Sequence, residues 1–306
     1  RAEMRAQYSC LLEDTSEEEL TPAAYPRDYL APETPVLIAN APEVQAWPFD
    51  AEEAARRQKT AGEEIRRTVD LGEGISMEFT LIPPGEFIMG GNGFADELPL
   101  TAVTIDTPFW LGVTEVTNAQ YARFDPEYDS GYIDQHNKDH TTRGYPANLP
   151  DQPVIRVTWD EARAFTQWLT QQSGMSCSLP TEAQWEWACR AGSAEAMGYG
   201  TLNDDFSSLA NLADLSVRRL AVAGINPQPI PNPSPFEDFL PKEARFDDGE
   251  RLMCDVGRYA ANAWGLKDMH GNVCEWTLST YRPYPYTDKD GRNEINAGEK
   301  RVVRGG

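Results

Sequence analysis

The chain has 306 residues, 40% hydrophobic and 25% charged, the make-up of an ordinary globular protein able to bury about 75% of its unfolded surface. Its formal net charge of −22 disfavours nucleic acid and anionic membrane as partners, since both repel an acidic surface, and suits a cation bound through oxygen. No apolar run approaches the about 20 residues of a membrane span. The five cysteines (Cys10, Cys177, Cys189, Cys254, Cys274) form no Cys-x-x-Cys pair, which leaves zinc, c-type haem and thioredoxin-like chemistry without support.

Residues 1–68 are expected to form a Pro-rich acidic linker that ends on a surface helix. Glu17-Glu18-Glu19 precedes Pro22, Pro26, Pro32, Pro35 and Pro42, and Asp50 with Glu53 three residues on reads as a helix N-terminus. The chain opens on Arg1 without a signal pattern, as a processed or excised piece of a longer protein would. Strands begin at Val69. Met77, Phe79 and Leu81 alternate with Ser76, Glu78 and Thr80, the period-two pattern of a half-buried strand. Pro83-Pro84-Gly85 turns the chain, Phe87-Ile88-Met89 resumes it, and Gly90-Gly91-Asn92-Gly93 reads as a loop, since no Lys-Ser/Thr follows to make a phosphate cradle.

Three helices are predicted from capping boxes at Thr117/Gln120, Thr158/Glu161 and Thr181/Gln184. The second places Ala162, Phe165 and Leu169 on one face and ends before Gly174; the third carries Trp185 and Ala188 and ends before Gly192. Residues 125–152 and 199–255 show little periodicity, and loops of that length in a compact domain are functional or held by bound ions. His136 and His140 resemble part of the H-x-x-x-H-x-E iron set of ergothioneine-type sulfoxide synthases, but Thr142 stands where that set has its third ligand, and a binding role is not expected. His270 reads as a hydrogen-bonding loop residue.

The densest segment is Asn262-Ala263-Trp264-Gly265-Leu266-Lys267-Asp268-Met269-His270-Gly271-Asn272-Val273-Cys274-Glu275-Trp276. Two carboxylates, Asp268 and Glu275, flank a Gly-Asn turn, and carboxylate and backbone oxygens converging on a tight turn suit Ca²⁺. Trp264 and Trp276 supply rigid surface to pin the loop. Val302-Val303-Arg304 reads as a closing strand.

This segment resembles the signature N-x-W-G-L-x-D-M-x-G-N-V-x-E-W of the formylglycine-generating enzyme (sulfatase-modifying factor) family. Other family pieces follow in order: Leu81 to Gly90, Glu115-Val116-Thr117-Asn118-Ala119-Gln120-Tyr121, Pro153 to Ala162, Leu179-Pro180-Thr181-Glu182-Ala183-Gln184-Trp185-Glu186-Trp187-Ala188, and Arg304-Gly305-Gly306. The resemblance covers residues 69–306, read as a domain incomplete at its C-terminus. It implies an α+β, irregular C-type-lectin-like fold with few helices, short strands and long loops. It also implies two structural Ca²⁺ sites. One would use the Asp268 and Glu275 side chains with the Gly271 and Val273 carbonyls. The other would use the Asn211 and Asp248 side chains with the Leu212 and Glu250 carbonyls. In active members a cysteine pair past the Arg-Gly-Gly strand binds Cu(I) and oxidises a sulfatase cysteine to formylglycine. No cysteine here occupies those positions, so Cu(I) is expected only if a further C-terminal segment supplies them.

Cys189 matches a family disulfide position, and both Cys189 and Cys274 read as buried packing residues. The stretch around Trp47-Pro48-Phe49-Asp50 resembles the linker before such domains in multidomain proteins related to the hydrazine-synthase α-subunit. Two functions are therefore expected: a copper-dependent oxidase with a sulfatase or other protein substrate, or a non-catalytic, calcium-braced module that holds a protein or glycan partner. The compartment stays open, with a periplasmic or extracellular one favoured.

Overall fold

The computed structural model describes residues 42–91, 97–134, 141, 143–195, 197–201, 203–220, 241–296 and 298–306. Cys10, the Pro-rich run before Pro42, Asn92-Gly93 and the His136/His140 pair lie outside the described residues. Few helices and short strands make up the fold, as expected. In chain order these are α1 (Ala51–Ala61), β1 (Arg66–Gly72), β2 (Ile75–Ile82), β3 (Gly85–Met89), β4 (Thr101–Ile105), β5 (Phe109–Gly112), α2 (Asn118–Tyr121), β6 (Tyr132–Ile133), β7 (Tyr145–Pro146), α3 (Trp159–Ser173), α4 (Glu182–Arg190), β8 (Cys274–Thr280) and β9 (Arg301–Gly305). Among the described residues no helix is long and apolar enough to cross a membrane.

Strands β1, β2 and β5 form one antiparallel sheet in the order β1-β2-β5, and β3-β4, β6-β7 and β8-β9 make two-stranded ribbons. The expected alternation along β2 holds at Ser76, Met77, Glu78 and Phe79 and then stops: Thr80, Leu81 and Ile82 are all buried. The cause is α1. Its Gln58, itself buried, donates from Nε2 to Thr80 Oγ1 (3.0 Å) and to the Leu81 carbonyl (2.8 Å), so this end of β2 is covered on both faces. Phe49, just before α1, packs on Trp187 and Trp264 with ring centroids 5.8 and 6.3 Å apart. Trp264 Nε1 donates to the Ala54 carbonyl at 3.1 Å. The helix that reads as an outer, polar element thus seals the main core with one small residue and one amide.

All three threonine capping boxes form, with side chain and backbone bonded reciprocally. They set very different helices: α2 is a single turn, α3 runs 15 residues to left-handed Gly174, and α4 runs nine. Helix α4 buries nearly its whole circumference, including Glu182, Trp185, Glu186 and Trp187. Two buried carboxylates there demand partners. Arg304 of β9 pairs with Glu186, Arg190 bonds Glu186 at 2.8 Å, and Tyr284 donates its hydroxyl to Glu182 at 3.1 Å. One ion network therefore ties the closing strand to α4. Two apolar clusters flank the sheet, one built on Phe87, Trp187, Trp264 and Leu266, the other on Met77, Phe79, Tyr121, Phe165 and Leu169.

Candidate functional site

The signature loop holds its own shape. Asn262 Oδ1 accepts the N–H groups of Trp264 (3.0 Å) and Leu266 (3.1 Å), while its Nδ2 donates to the Ala188 carbonyl (2.8 Å) in α4. The chain then turns through Asp268 and Asn272, both left-handed at φ +56° and +59°. Short polar side chains tolerate that region best. Gly271, at φ +80°, passes so close to Asn211 that an added Cβ would lie 1.9 Å from its carbonyl oxygen. A parallel bridge joins Asn211 to Gly271, and Asn211 Nδ2 donates to Asn272 Oδ1 at 3.1 Å. The two expected calcium sets are thus adjacent, welded through Asn211 and Asn272.

In the first set, Asp268 is 3% exposed, and its Oδ2 accepts the Gly257 N–H at 2.5 Å. Its Oδ1 is buried without any donor. Glu275, half-buried at the start of β8, accepts the Trp185 indole N–H. The Val273 carbonyl accepts the Gly306 N–H at 3.1 Å, leaving one lone pair. A third carboxylate joins them. Glu115, in the loop after β5 and 8% exposed, accepts from Asn272 Nδ2 at 3.0 Å through Oε1, and its Oε2 again has no donor. Burial, then the charges of Asp268 and Glu275, hold the Glu115 carboxyl well above the usual carboxylate range. Burial likewise raises Asp268, and burial with the Asp268 charge pushes Glu275 up to about 7.

Two buried carboxylate oxygens without donors are a costly arrangement unless a shared proton or a cation lies between them, and as hard oxygen donors the residues present fit Ca²⁺. Among the described residues no three His, Cys, Asp or Glu side chains are placed to hold a metal ion, and Glu275 accepts the Trp185 indole N–H.

The second set is differently disposed. The Asp248 carboxylate accepts the Leu212 N–H (2.7 Å) and the Glu250 N–H (2.8 Å). Ser216 Oγ donates to the Glu250 carbonyl, the Asp214 N–H donates to the Leu212 carbonyl at 2.8 Å, and Asn211 Nδ2 bonds the Leu252 carbonyl at 2.8 Å. No buried side-chain atom of this set lacks a partner. The structure brings Asn211, Leu212, Asp248 and Glu250 together, with backbone N–H groups on Asp248, the Ser216 hydroxyl on the Glu250 carbonyl and the Leu252 carbonyl on Asn211.

Among the described residues no three His, Cys, Asp or Glu side chains are placed to hold a metal ion, and burial pushes both the Cys189 and Cys254 thiols up to about 12. Cys189 is buried as expected and lies 3.2 Å from His270 Nε2. Cys274, expected as a packing thiol, is disulfide-bonded. His270 is the loop hydrogen-bonder foreseen: its Nε2 accepts the Gly198 N–H at 2.9 Å, and burial pulls its pKa down to about 4, keeping it neutral.

Beside the carboxylates opens a groove of about 500 Å³, lined by Trp110, Tyr121, Phe165, Trp185 and Trp276 with Glu115 and Glu275 at its wall. Sequence reasoning missed Glu115 as a site residue. Its signal was a carboxylate within the otherwise apolar and small run Trp110-Leu111-Gly112-Val113-Thr114-Glu115-Val116.

Comparison with known proteins identifies the family. The family model for the sulfatase-modifying factor enzyme 1-like domain matches residues 73–306. Formylglycine-generating enzyme of Streptomyces coelicolor is 26% identical over 74% of this chain and 76% of its own length. Hercynine oxygenase of Mycolicibacterium smegmatis is 28% identical over 76% of this chain, which spans only 54% of that protein. A serine/threonine-protein kinase, pkn1 of Chlamydia pneumoniae, is 28% identical over 76% of this chain and 33% of its own length. In structure, Treponema denticola variable protein 1 superposes with a TM-score of 0.51 at 16% identity, covering 74% of this chain and 80% of that one, a likeness of fold alone. From residue 73 to residue 306, the chain belongs to the sulfatase-modifying factor enzyme 1-like family.

Proposed function

We propose that this chain provides a calcium-braced domain of formylglycine-generating-enzyme type that receives a peptide of a protein partner in its aromatic groove, without oxidising it. The observation that carries this reading is the juxtaposition of buried, donor-poor carboxylates with a groove of about 500 Å³ walled by Trp110, Trp185 and Trp276. Aromatic walls offer large contact area, and Glu115 and Glu275 stand where a peptide would pass. The same cation that neutralises those carboxylates would shape the groove wall. Among the described residues no three His, Cys, Asp or Glu side chains are placed to hold a metal ion, and none of the cysteines stands at the positions of the family's copper-binding pair.

A second reading, copper-dependent oxidation of a sulfatase cysteine, draws support from the 26% identity to the Streptomyces coelicolor formylglycine-generating enzyme. The two part in a single experiment. The chain is incubated with Ca²⁺, Cu(I), O₂ and a fluorescent sulfatase-type cysteine peptide, with anisotropy reporting binding and mass spectrometry reporting the aldehyde. Binding that needs Ca²⁺, with no aldehyde formed, is the expected result. Aldehyde formation would establish the oxidase instead, and absence of any peptide binding would overturn the module reading for this partner class.

A further inference from the structure

We infer that the aromatic groove takes its partner peptide as an added β-strand, paired through the main chain to the free edge of β5. This rests on the peptide reading above and adds to it the mode of binding and the kind of segment bound. The sheet order β1-β2-β5 leaves β5 at an edge. Val113 N–H donates to the Glu78 carbonyl at 2.9 Å, which fixes the phase of the antiparallel ladder. Phe109 and Leu111 therefore bond Ile82 and Thr80, while the N–H and C=O groups of Trp110 and Gly112 point away from β2. No main-chain partner meets those groups among the described residues. The groove is lined by every residue from Pro108 to Gly112. A strand that turned one face to a groove would contribute alternate residues; consecutive ones line it because the edge of the strand does.

The two edges of this sheet are treated differently. Along β1, Arg66, Thr68 and Asp70 are exposed, and the register shifts between Asp70 and Gly72. Charges and a bulge of that kind keep other strands off an edge. Strand β5, Phe109-Trp110-Leu111-Gly112, has neither, and all four of its residues are half-buried. Such an edge is a template for one more strand: main-chain pairing supplies affinity, and side chains on alternate faces supply selectivity. The groove beyond the edge is apolar at Met77, Phe79, Tyr121 and Phe165, and its carboxylates, Glu115 and Glu275, outnumber its one basic residue, Lys267. The segment that fits is thus extended and about as long as β5, rich in β-branched and aromatic residues, free of Pro, Asp and Glu, and basic at its flanks.

The probe is a fluorescent peptide of alternating valine and tyrosine between flanking lysines, offered to the whole chain with Ca²⁺ present. Two further versions carry N-methyl groups, one on the valine amides and one on the tyrosine amides. A strand pairs with its neighbour through alternate residues only. One version should therefore bind about tenfold or more weaker, and the other within about threefold of the parent peptide. On binding, hydrogen exchange should slow at the Trp110 and Gly112 amides and stay as it was at Phe109 and Leu111. Equal effects of the two methylations, or unchanged exchange at Trp110 and Gly112, would overturn strand addition and leave peptide binding standing. So would binding of the sulfatase-type cysteine peptide alone. Binding of neither peptide would overturn the peptide reading of the groove as well. Exchange at Trp110 and Gly112 that slows with protein concentration, without peptide, would assign the edge to a second copy of the chain and overturn the inference too.

Discussion

Gly271 concentrates the geometry of the site in one residue. Its φ of +80° is open to glycine at no cost, and the Asn211 carbonyl would lie 1.9 Å from any Cβ. An alanine there must open the Asn211–Gly271 bridge as well as adopt a strained backbone. Gly271→Ala should therefore destabilise the protein by about 2 kcal/mol or more, read from urea unfolding. A change under about 0.5 kcal/mol would mean that the two calcium sets are not locked together as described. Asn272, its neighbour, was read in the sequence only as half of a turn. Its side chain turns out to be the hub that faces Glu115, Asn211 and the Cys254 backbone at once. A turn motif says where a side chain leaves the backbone; what it meets depends on segments far away in the chain.

At the scale of elements, helix starts were readable because a capping box is local: Thr117, Thr158 and Thr181 each bond a backbone N–H three residues on. Burial of those helices was less readable. Helix α4 has two glutamates facing inward, which a hydropathy pattern places outside, and they stay inside because arginines come with them. The partner that matters most is Arg304, in the closing strand, whose guanidinium bonds Glu186 and also lies 5.6 Å from the centre of the Trp185 ring. Since Trp185 holds Glu275, the network reaches the signature turn. Arg304→Ala leaves Glu182 and Glu186 undercompensated in the core and should cost about 3 kcal/mol in denaturant unfolding. A loss no larger than that of an exposed arginine such as Arg56 would show that Arg190 alone suffices for Glu186.

Over the whole molecule, with its net charge of −22, the proposed calcium sites would make the folded state sensitive to divalent cations. A ligand that binds only the native form adds about 2.7 kcal/mol at a concentration of 100 times its Kd. For a chain of this size that corresponds to roughly 4 °C in Tm. Excess chelator should thus lower the Tm by about 4 °C, and Glu275→Ala should lose most of that response. An unchanged melting curve in chelator would remove calcium from the account of this fold. The groove at this scale is a product of assembly: Trp110 comes from β5, Phe165 from α3, Trp185 from α4 and Trp276 from β8.

By itself the sequence determined what local chemistry can specify: the capped helix starts, the glycines after them, the β2 strand up to Phe79, the closing strand, and the family, through side chains that keep their spacing in ordered motifs. It also placed Asp268, Gly271 and Glu275 near one turn, because they are only seven positions apart at most. Tertiary structure alone decided the rest. It brought Gln58 of α1 onto Thr80 and so ended the alternation of β2. It set Glu275 against the Trp185 indole, and it carried Glu115 across the fold to Asn272 of the turn. The physical reason is common to these cases. Periodicity and turn chemistry are set over a few neighbouring residues, whereas the burial of a polar group is decided by whichever distant donor, acceptor or ion the packed core places against it.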